Sequence, residues 1–145
     1  MAGQVVLIAA VFGSAVFGRG WSGAYSTISY VVGGVLLALG LGLLVTAALQ
    51  LGSALTPFPA PRAGQELTST GAFALSRHPM YGGGILIALG WTIIFASLVS
   101  LVWAVVLALF LDVKSRREEF WLSERVPGYD EYRKQTPRKL LPFIY

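Results

Sequence analysis

Arg77-His78-Pro79-Met80-Tyr81-Gly82-Gly83 is a short polar segment that leads directly into an uncharged run from Pro79 to Leu111. His78 is the only histidine of the chain, and a proline favours the first turn of a helix. The residue before a proline is restricted to extended backbone, and glycine permits close approach of backbone or ligand. Ionisable groups beside a membrane segment are costly to keep, which makes them functional candidates. The segment therefore predicts both a helix start and a site.

The composition is typical of an integral membrane protein, with 55% apolar and 12% charged residues in a chain of 145. Soluble domains have about 25% charged residues. The length predicts a single domain, 1–145. The absence of cysteine excludes disulfides, thiolate metal sites and cysteine nucleophiles, and one histidine with few carboxylates argues against a protein-built metal site. The net charge of +4 has a topological explanation at membrane edges, so it does not indicate nucleic acid.

Hydropathy predicts an all-α integral membrane fold with about four transmembrane helices and a C-terminal helical segment at the interface or in the cytoplasm. The spans are expected at residues 3–18, 28–51, 79–96 and 98–113, and the cytoplasmic catalytic tail at 114–145. A run of about 33 residues after His78 would reach roughly 50 Å as one helix, too long for a ~30 Å hydrocarbon core. The last two spans therefore form a tight hairpin that turns near 96–100. The first segment lacks the basic start and cleavage site of a signal peptide, so we interpret it as a short span.

Charge distribution predicts the topology. The loop 52–76, Arg77 and the tail contain ten of the eleven Lys and Arg residues, and only Arg19 falls on the opposite side. The positive-inside rule places this side, both termini and the polar clusters in the cytoplasm. We expect a prokaryotic inner membrane, because no retention or targeting tail is visible. The glycines of the second span suit close helix packing: Gly33, Gly34, Gly40 and Gly42.

The segment around His78 has two interpretations. As an interfacial cap, Arg77 extends to the headgroups and Tyr81 joins an aromatic belt. As a site, the backbone opened before Pro79 offers polar groups to a ligand. Arg77 and His78 then add donors for a carboxylate or phosphate.

A second polar cluster follows the hairpin, on a helix expected from Lys114 to Glu124. Glu118 and Glu119 form either a solvated face with local pairs, such as Lys114 with Glu118, or a paired acidic site for a cationic or ribose-bearing ligand. Tyr129 and Tyr132 are three residues apart and share a helical face. They form either an amphipathic belt that anchors the tail to lipid or an aromatic wall for a nucleoside ring or cation.

In this order, the motifs resemble those of the isoprenylcysteine carboxyl methyltransferase and phospholipid methyltransferase superfamily of membrane enzymes. That superfamily shows R-H-P-x-Y-x-G at a helix start, an apolar hairpin, E-E-x-x-L, G-x-x-Y and a final R-x-x-x-P. The matching pieces are Arg77 to Gly83, Glu118-Glu119-Phe120-Trp121-Leu122, Gly128-Tyr129-Asp130-Glu131-Tyr132, and Arg138 with Pro142. The resemblance covers about half of the chain, from Thr70 onward.

The resemblance implies an S-adenosyl-L-methionine-dependent methyltransferase whose cofactor lies at the cytoplasmic end and whose lipophilic acceptor comes from the bilayer. The acceptor classes are an isoprenylcysteine carboxylate, a phospholipid amine, or a small hydrophobic thiol or amine. The implied catalytic residues are Glu118, Glu119 and Lys114. The implied cofactor-binding residues are Arg77, His78, Pro79, Tyr81, Gly83, Glu118, Glu119, Leu122, Tyr129, Tyr132 and Arg138.

One departure concerns Lys114, where family members often carry an arginine proposed to place the acceptor. Lysine keeps the charge but lacks the planar fork that matches a carboxylate, which weakens the case for a carboxyl acceptor. Two other functions stay open from the sequence: an NADPH-dependent membrane reductase of the same superfamily, and a non-enzymatic membrane interaction protein. The sequence predicts neither the acceptor nor the oligomeric state.

Overall fold

The computed structural model describes residues 2–21, 23–52, 67–142 and 144–145. Within these ranges the regular structure is helical and contains no strand, which confirms the all-α prediction. The helices are α1 (Ala2–Gly13), α2 (Ala24–Leu51), α3 (Ala72–Leu75), α4 (Pro79–Phe95), α5 (Leu98–Arg125) and α6 (Tyr129–Gln135), and a 3-10 turn, Ser14–Phe17, follows α1. Most of the polar loop expected at 52–76 lies outside the described residues.

The helical hairpin occurs where the sequence predicts it. α4 ends at Phe95, and α5 begins at Leu98. Ala96 turns the chain with a φ of +49°, and the Ser97 amide donates to the Thr92 carbonyl at 3.3 Å. The hairpin therefore needs only two residues between its helices.

The boundary between the fourth span and the tail stays a prediction, and α5 crosses it without a break as one helix of 28 residues. Residues 114–125 are mostly Lys, Arg, Glu and Leu, which are strong helix formers. Pro127 and Gly128 then end the helical sequence, and Gly128 has a φ of +82°. The acidic pair thus belongs to the same continuous helix as the apolar segment.

Two helices are long and apolar enough to cross a membrane, Tyr25–Leu51 and Leu98–Arg125. Two further apolar helices are shorter, Ala2–Phe17 and Pro79–Phe95. A perpendicular span takes about 17–25 residues, so the long helices satisfy this length and the four-span count stays a prediction.

The chain divides into two compact units, one of residues 1–42 and 83–110 and the other of residues 43–82 and 111–145. In the first unit, glycines bring the backbones of α2 and α4 together. A Cβ added to Gly33 would lie 2.8 Å from the Gly90 carbonyl oxygen, and one added to Gly40 would lie 2.7 Å from that of Gly83. Small residues allow such contact between apolar helices. Gly34 and Gly42 are not part of this packing in the described chain, since a Cβ on either would meet no atom within 4 Å.

Serine hydroxyls tie α1 to the hairpin turn in the same unit. The Ser100 hydroxyl donates to the Val11 carbonyl at 2.7 Å, and the Ser97 hydroxyl donates to the Ser14 carbonyl at 3.1 Å. The acceptors are carbonyls in the last turn of α1 and at the start of the 3-10 turn that follows it. These bonds fix the end of the short first helix against the turn.

The second unit contains the end of α2, the helix α3, the first turn of α4, the charged half of α5 and the tail with α6. The Gln50 side chain accepts a hydrogen bond from the Ala72 amide at 2.9 Å, which fixes the start of α3 just before the polar segment. All residues of the two polar clusters except Gly83 lie in this unit.

Candidate active site

The segment before α4 is paired with the C-terminal tail. The Arg77 amide donates to the Arg138 carbonyl at 3.0 Å, and the His78 amide donates to the Lys139 carbonyl at 2.8 Å. The two amides that precede the helix are therefore satisfied by the tail rather than exposed to solvent.

Gly82 allows the tail to approach the first turn of α4. A Cβ at this position would collide with the Leu140 carbonyl oxygen. Only glycine lacks that atom, so Gly82 is required for the tail to lie directly on the helix. Gly82 stands at the second x of the R-H-P-x-Y-x-G pattern, whose own glycine is Gly83, so this structural reason concerns a position that the pattern leaves open.

Arg77 joins the acidic helix to the tail. Its Nε donates to Glu119 Oε1 at 2.7 Å, and its Nη1 donates to the carbonyls of Thr136 at 2.8 Å and Pro137 at 2.7 Å. The side chains of Arg77 and Glu119 are 8% and 9% exposed, so this is a buried ion pair with additional acceptors. Such a pair is stable only when the charges and donors are well matched, as they are here. Arg77 thus points inward, which excludes the interfacial cap as its whole explanation.

His78 and Tyr81 complete the contact with the acidic pair. His78 Nε2 lies 3.2 Å from Glu119 Oε1, and the Tyr81 hydroxyl donates to Glu118 Oε1 at 2.6 Å. The two rings are parallel, with centroids 5.5 Å apart. His78 directly before α4 and Tyr81 in its first turn therefore contact both carboxylates, and the two halves of the motif meet as the sequence predicts.

Lys114 lies beside the same carboxylates. Its Nζ is 4.0 Å from Glu118 Oε1 and 5.0 Å from the centre of the Tyr81 ring. The local pair expected for a solvated helix face therefore forms, but Glu118 is only 13% exposed. The positive charges of Lys114 and Arg77 offset the repulsion between adjacent carboxylates.

Tyr129 and Tyr132 are buried inside the unit, at 2% and 5% exposure. The centroids of their two rings lie 5.9 Å apart. This burial argues against a belt that anchors the tail to lipid and favours a wall of the site. The Tyr132 hydroxyl donates to the Phe73 carbonyl at 2.6 Å, whereas the Tyr129 hydroxyl is buried without a partner among the described residues.

Both tyrosines stay neutral at physiological pH. Burial raises the pKa of Tyr132 to about 12. Burial, followed by the negative charge of Glu119, raises the pKa of Tyr129 well above its ordinary value. The Tyr129 hydroxyl is therefore a protonated donor next to the acidic pair, and donors in such positions normally have an acceptor.

The remaining predicted residues have less direct positions. Pro79 is fully buried at the start of α4, and Leu122 is half-buried in α5. The Arg138 side chain is exposed while its carbonyl accepts from Arg77. Gly83 belongs to the first unit, where its carbonyl faces Gly40. Cofactor-binding roles for these residues stay predictions.

Sequence reasoning missed a third cluster in the second unit. Asp112 pairs with Lys139 and with the exposed Arg116, and the Tyr145 hydroxyl lies 3.2 Å from Asp112 Oδ1. Ser76, another missed residue, is fully buried with an unpartnered hydroxyl in the described chain. The available signal was spacing: Asp112 precedes Glu119 by seven residues and so lies on the same helix face.

The side chains of Arg77, His78 and Tyr81 thus meet the acidic pair within the second unit. The sequence model described as phospholipid methyltransferase matches residues 28–126, more than half of the chain. The protein belongs to the phospholipid methyltransferase family, within the superfamily that the motifs indicate, and is an integral membrane protein. A search of curated proteins gives no match.

Among solved structures, the chain is similar to the eukaryotic intramembrane Ras methyltransferase, isoprenylcysteine carboxyl methyltransferase. The TM-score is 0.71 at 26% sequence identity, and the match covers 79% of this chain and 42% of that enzyme. The chain therefore spans less than half the length of the enzyme it resembles. The family match and this likeness confirm the superfamily that the sequence motifs predict.

Proposed function

We propose that this protein transfers a methyl group from S-adenosyl-L-methionine to a lipophilic acceptor at the cytoplasmic face of a prokaryotic inner membrane. The observation that carries the proposal is the position of Glu118 and Glu119. In a chain of this family, Arg77, His78 and Tyr81 hold both carboxylates in a buried cluster. No observation favours a reductase or a non-enzymatic interaction protein. The cytoplasmic side follows from the ten basic residues predicted on it.

The residues present fit the cofactor. S-adenosylmethionine carries an ammonium group and ribose hydroxyls, which are donors that carboxylates accept. Glu119 uses Oε1 for Arg77 and His78. Tyr129 adds a buried hydroxyl that has no partner among the described residues. A polar ligand would satisfy this hydroxyl, as burial requires.

In methyl transfer, the protein mainly positions the cofactor and the acceptor and need not form a covalent bond to either. The bound cofactor supplies an activated methyl group on a positively charged sulfur. Glu118 and Glu119 hold the cofactor's polar groups, and buried Tyr129 and Tyr132 help to keep water out. Fixing two reactants in line removes much of the entropic barrier. In this family member the fixed elements are α5 and the first turn of α4.

The acceptor is a molecule that enters from the bilayer, with Lys114 beside its reacting group. Lys114 is 20% exposed next to Glu118 and can neutralise an anionic part of the acceptor. An amine acceptor must lose a proton. Glu118, Glu119 and His78 are the candidates to accept it. An isoprenylcysteine carboxylate, a phospholipid amine, and a small hydrophobic thiol or amine are the acceptor classes to test.

The experiment is calorimetry of S-adenosylhomocysteine binding to the detergent-purified protein and to the Glu118→Gln variant. The matched control is Glu124→Gln, because Glu124 is exposed on the same helix. We expect binding by the native protein and Glu124→Gln, and a loss of on the order of tenfold or more in Glu118→Gln. Incubation with methyl-labelled cofactor and lipid extracts then identifies the acceptor. A folded native protein that binds no S-adenosylhomocysteine contradicts the proposal.

A further inference from the structure

We propose that Asp112 and Lys139 are positioning residues that set the register of the tail and thereby the position of His78. The cofactor-binding consequence rests on the function proposed above. The structural consequence does not, because it concerns only the contact between the tail and the segment before α4.

The pair is well enclosed. Lys139 Nζ bonds to Asp112 Oδ1, and the Tyr145 hydroxyl lies 3.2 Å from both atoms. The ammonium also lies 4.9 Å from the centre of the Tyr145 ring. The Lys139 and Asp112 side chains are 10% and 19% exposed. Lysine is rarely so buried unless it is paired, so Lys139 acts here as an anchor within the fold.

The tail crosses the acidic face of α5 at two points. Asp112 and Glu119 are seven residues apart, which is about two helical turns or roughly 10 Å. At the first point, Arg77 bonds both the Thr136 carbonyl and the Glu119 carboxylate. At the second point, Lys139 forms an ion pair with Asp112. The three residue steps from Thr136 to Lys139 reach about 10 Å in an extended chain. The tail thus matches the distance between its two anchors.

Lys139 is also the residue whose backbone holds His78. Its carbonyl accepts from the His78 amide at 2.8 Å, one residue after the Arg138 carbonyl that accepts from Arg77. A shift of the tail along α5 would therefore carry both amides with it. His78 Nε2 would lose its 3.2 Å contact with Glu119 Oε1. The ion pair at Asp112 acts on the site through this backbone connection without touching a ligand.

His78 provides a direct readout because it is the only histidine. Protein labelled with ¹³C at the histidine Cε1 gives one imidazole signal, from the site itself. We expect Asp112→Asn and Lys139→Met to move this signal beyond its line width, and Lys139→Arg to restore it by keeping the cation. Arg116→Gln is the control, because it removes the partner of Asp112 that is 66% exposed, together with its contact to Tyr145, and keeps the ion pair of Lys139 with Asp112.

The second readout is S-adenosylhomocysteine affinity. We expect a dissociation constant about tenfold higher in Asp112→Asn and Lys139→Met, and unchanged in Arg116→Gln and Lys139→Arg, since misplacement by about 1 Å can cost that much or more. The inference would be overturned if Asp112→Asn and Lys139→Met lower the thermal stability but change neither the His78 signal nor the affinity. The ion pair would then stabilise the fold without positioning the site. If the native protein binds no S-adenosylhomocysteine, the proposed function fails and the His78 signal still decides the register. If Asp112→Asn does not fold, the comparison of Lys139→Met with Lys139→Arg decides it.

Discussion

The guanidinium of Arg77 and the carboxylate of Glu119 lie 2.7 Å apart although 42 residues separate them in the chain. The whole apolar hairpin lies between them in the sequence, and it brings Glu119 back to Arg77. Arg77 also holds two carbonyls of the tail. One side chain therefore joins three sequence segments, and the acidic pair depends on it for its charge balance.

Glu119→Gln should destabilise the protein more than Glu118→Gln. Glu119 is the charge partner of Arg77 and contacts His78. Its neutralisation leaves a buried guanidinium without a counter-ion, at a cost of about 2–3 kcal/mol in the free energy of unfolding. Glu118 accepts from a neutral tyrosine hydroxyl, a bond that glutamine keeps. Thermal unfolding in detergent, followed by tryptophan fluorescence, measures the difference. Equal midpoints for the two variants would show that the Arg77 pair adds no stability.

Tyr132→Phe and Tyr129→Phe should have opposite effects on the stability of the ligand-free protein. The first removes the donor to the Phe73 carbonyl and should cost about 1–2 kcal/mol. The second removes a buried hydroxyl that has no partner in the described chain, so the variant should be as stable as the native protein or more stable. The same melting experiment compares them.

The Tyr129 hydroxyl adds no stability to the ligand-free protein, but it is expected to add affinity for the cofactor. If its hydroxyl bonds the cofactor, Tyr129→Phe should weaken S-adenosylhomocysteine binding by roughly fivefold to tenfold. Tyr132→Phe is the control, because its hydroxyl already has a protein acceptor. A Tyr129→Phe variant with native affinity would place the ligand elsewhere.

The sequence predicts the helices and the meeting of the two polar clusters because both depend on local rules. Pro79 starts a helix, the apolar run requires a hairpin, and charge asymmetry places both clusters on one side. The sequence also predicts a helix from Lys114 to Glu124. Because the change from apolar to charged residues leaves helix propensity unchanged, this helix is continuous with the apolar one in α5. The pairing of Lys139 with Asp112 depends on how the tail lies on α5. No periodicity in the sequence encodes that path.

Gly82→Ala should displace the tail, while Gly84→Ala in the same helix should not. A Cβ on Gly82 would collide with the Leu140 carbonyl, and one on Gly84 would meet no described atom within 4 Å. We expect Gly82→Ala to cost about 1–3 kcal/mol. Gly84→Ala should gain about 0.5–1 kcal/mol through the better helix propensity of alanine. The melting midpoints of the two variants test these stability changes. If only Gly82→Ala lowers the affinity for S-adenosylhomocysteine, the position of the tail affects the site.

Gly33→Ala and Gly34→Ala provide a matched test of helix packing in the first unit, because the two glycines are adjacent in α2. A Cβ on Gly33 would lie 2.5 Å from Ile94 Cγ1 and 2.8 Å from the Gly90 carbonyl oxygen, whereas one on Gly34 would meet no described atom within 4 Å. Carbonyl oxygens cannot move aside as a flexible side chain can, so Gly33→Ala must separate α2 from α4, at a cost of about 1–3 kcal/mol. Gly34→Ala should be as stable as the native protein or slightly more stable. Resistance to unfolding by heat and by sodium dodecyl sulfate measures both variants in one preparation. If Gly33→Ala is as stable as Gly34→Ala, then α2 and α4 do not touch at Gly33 and Gly90.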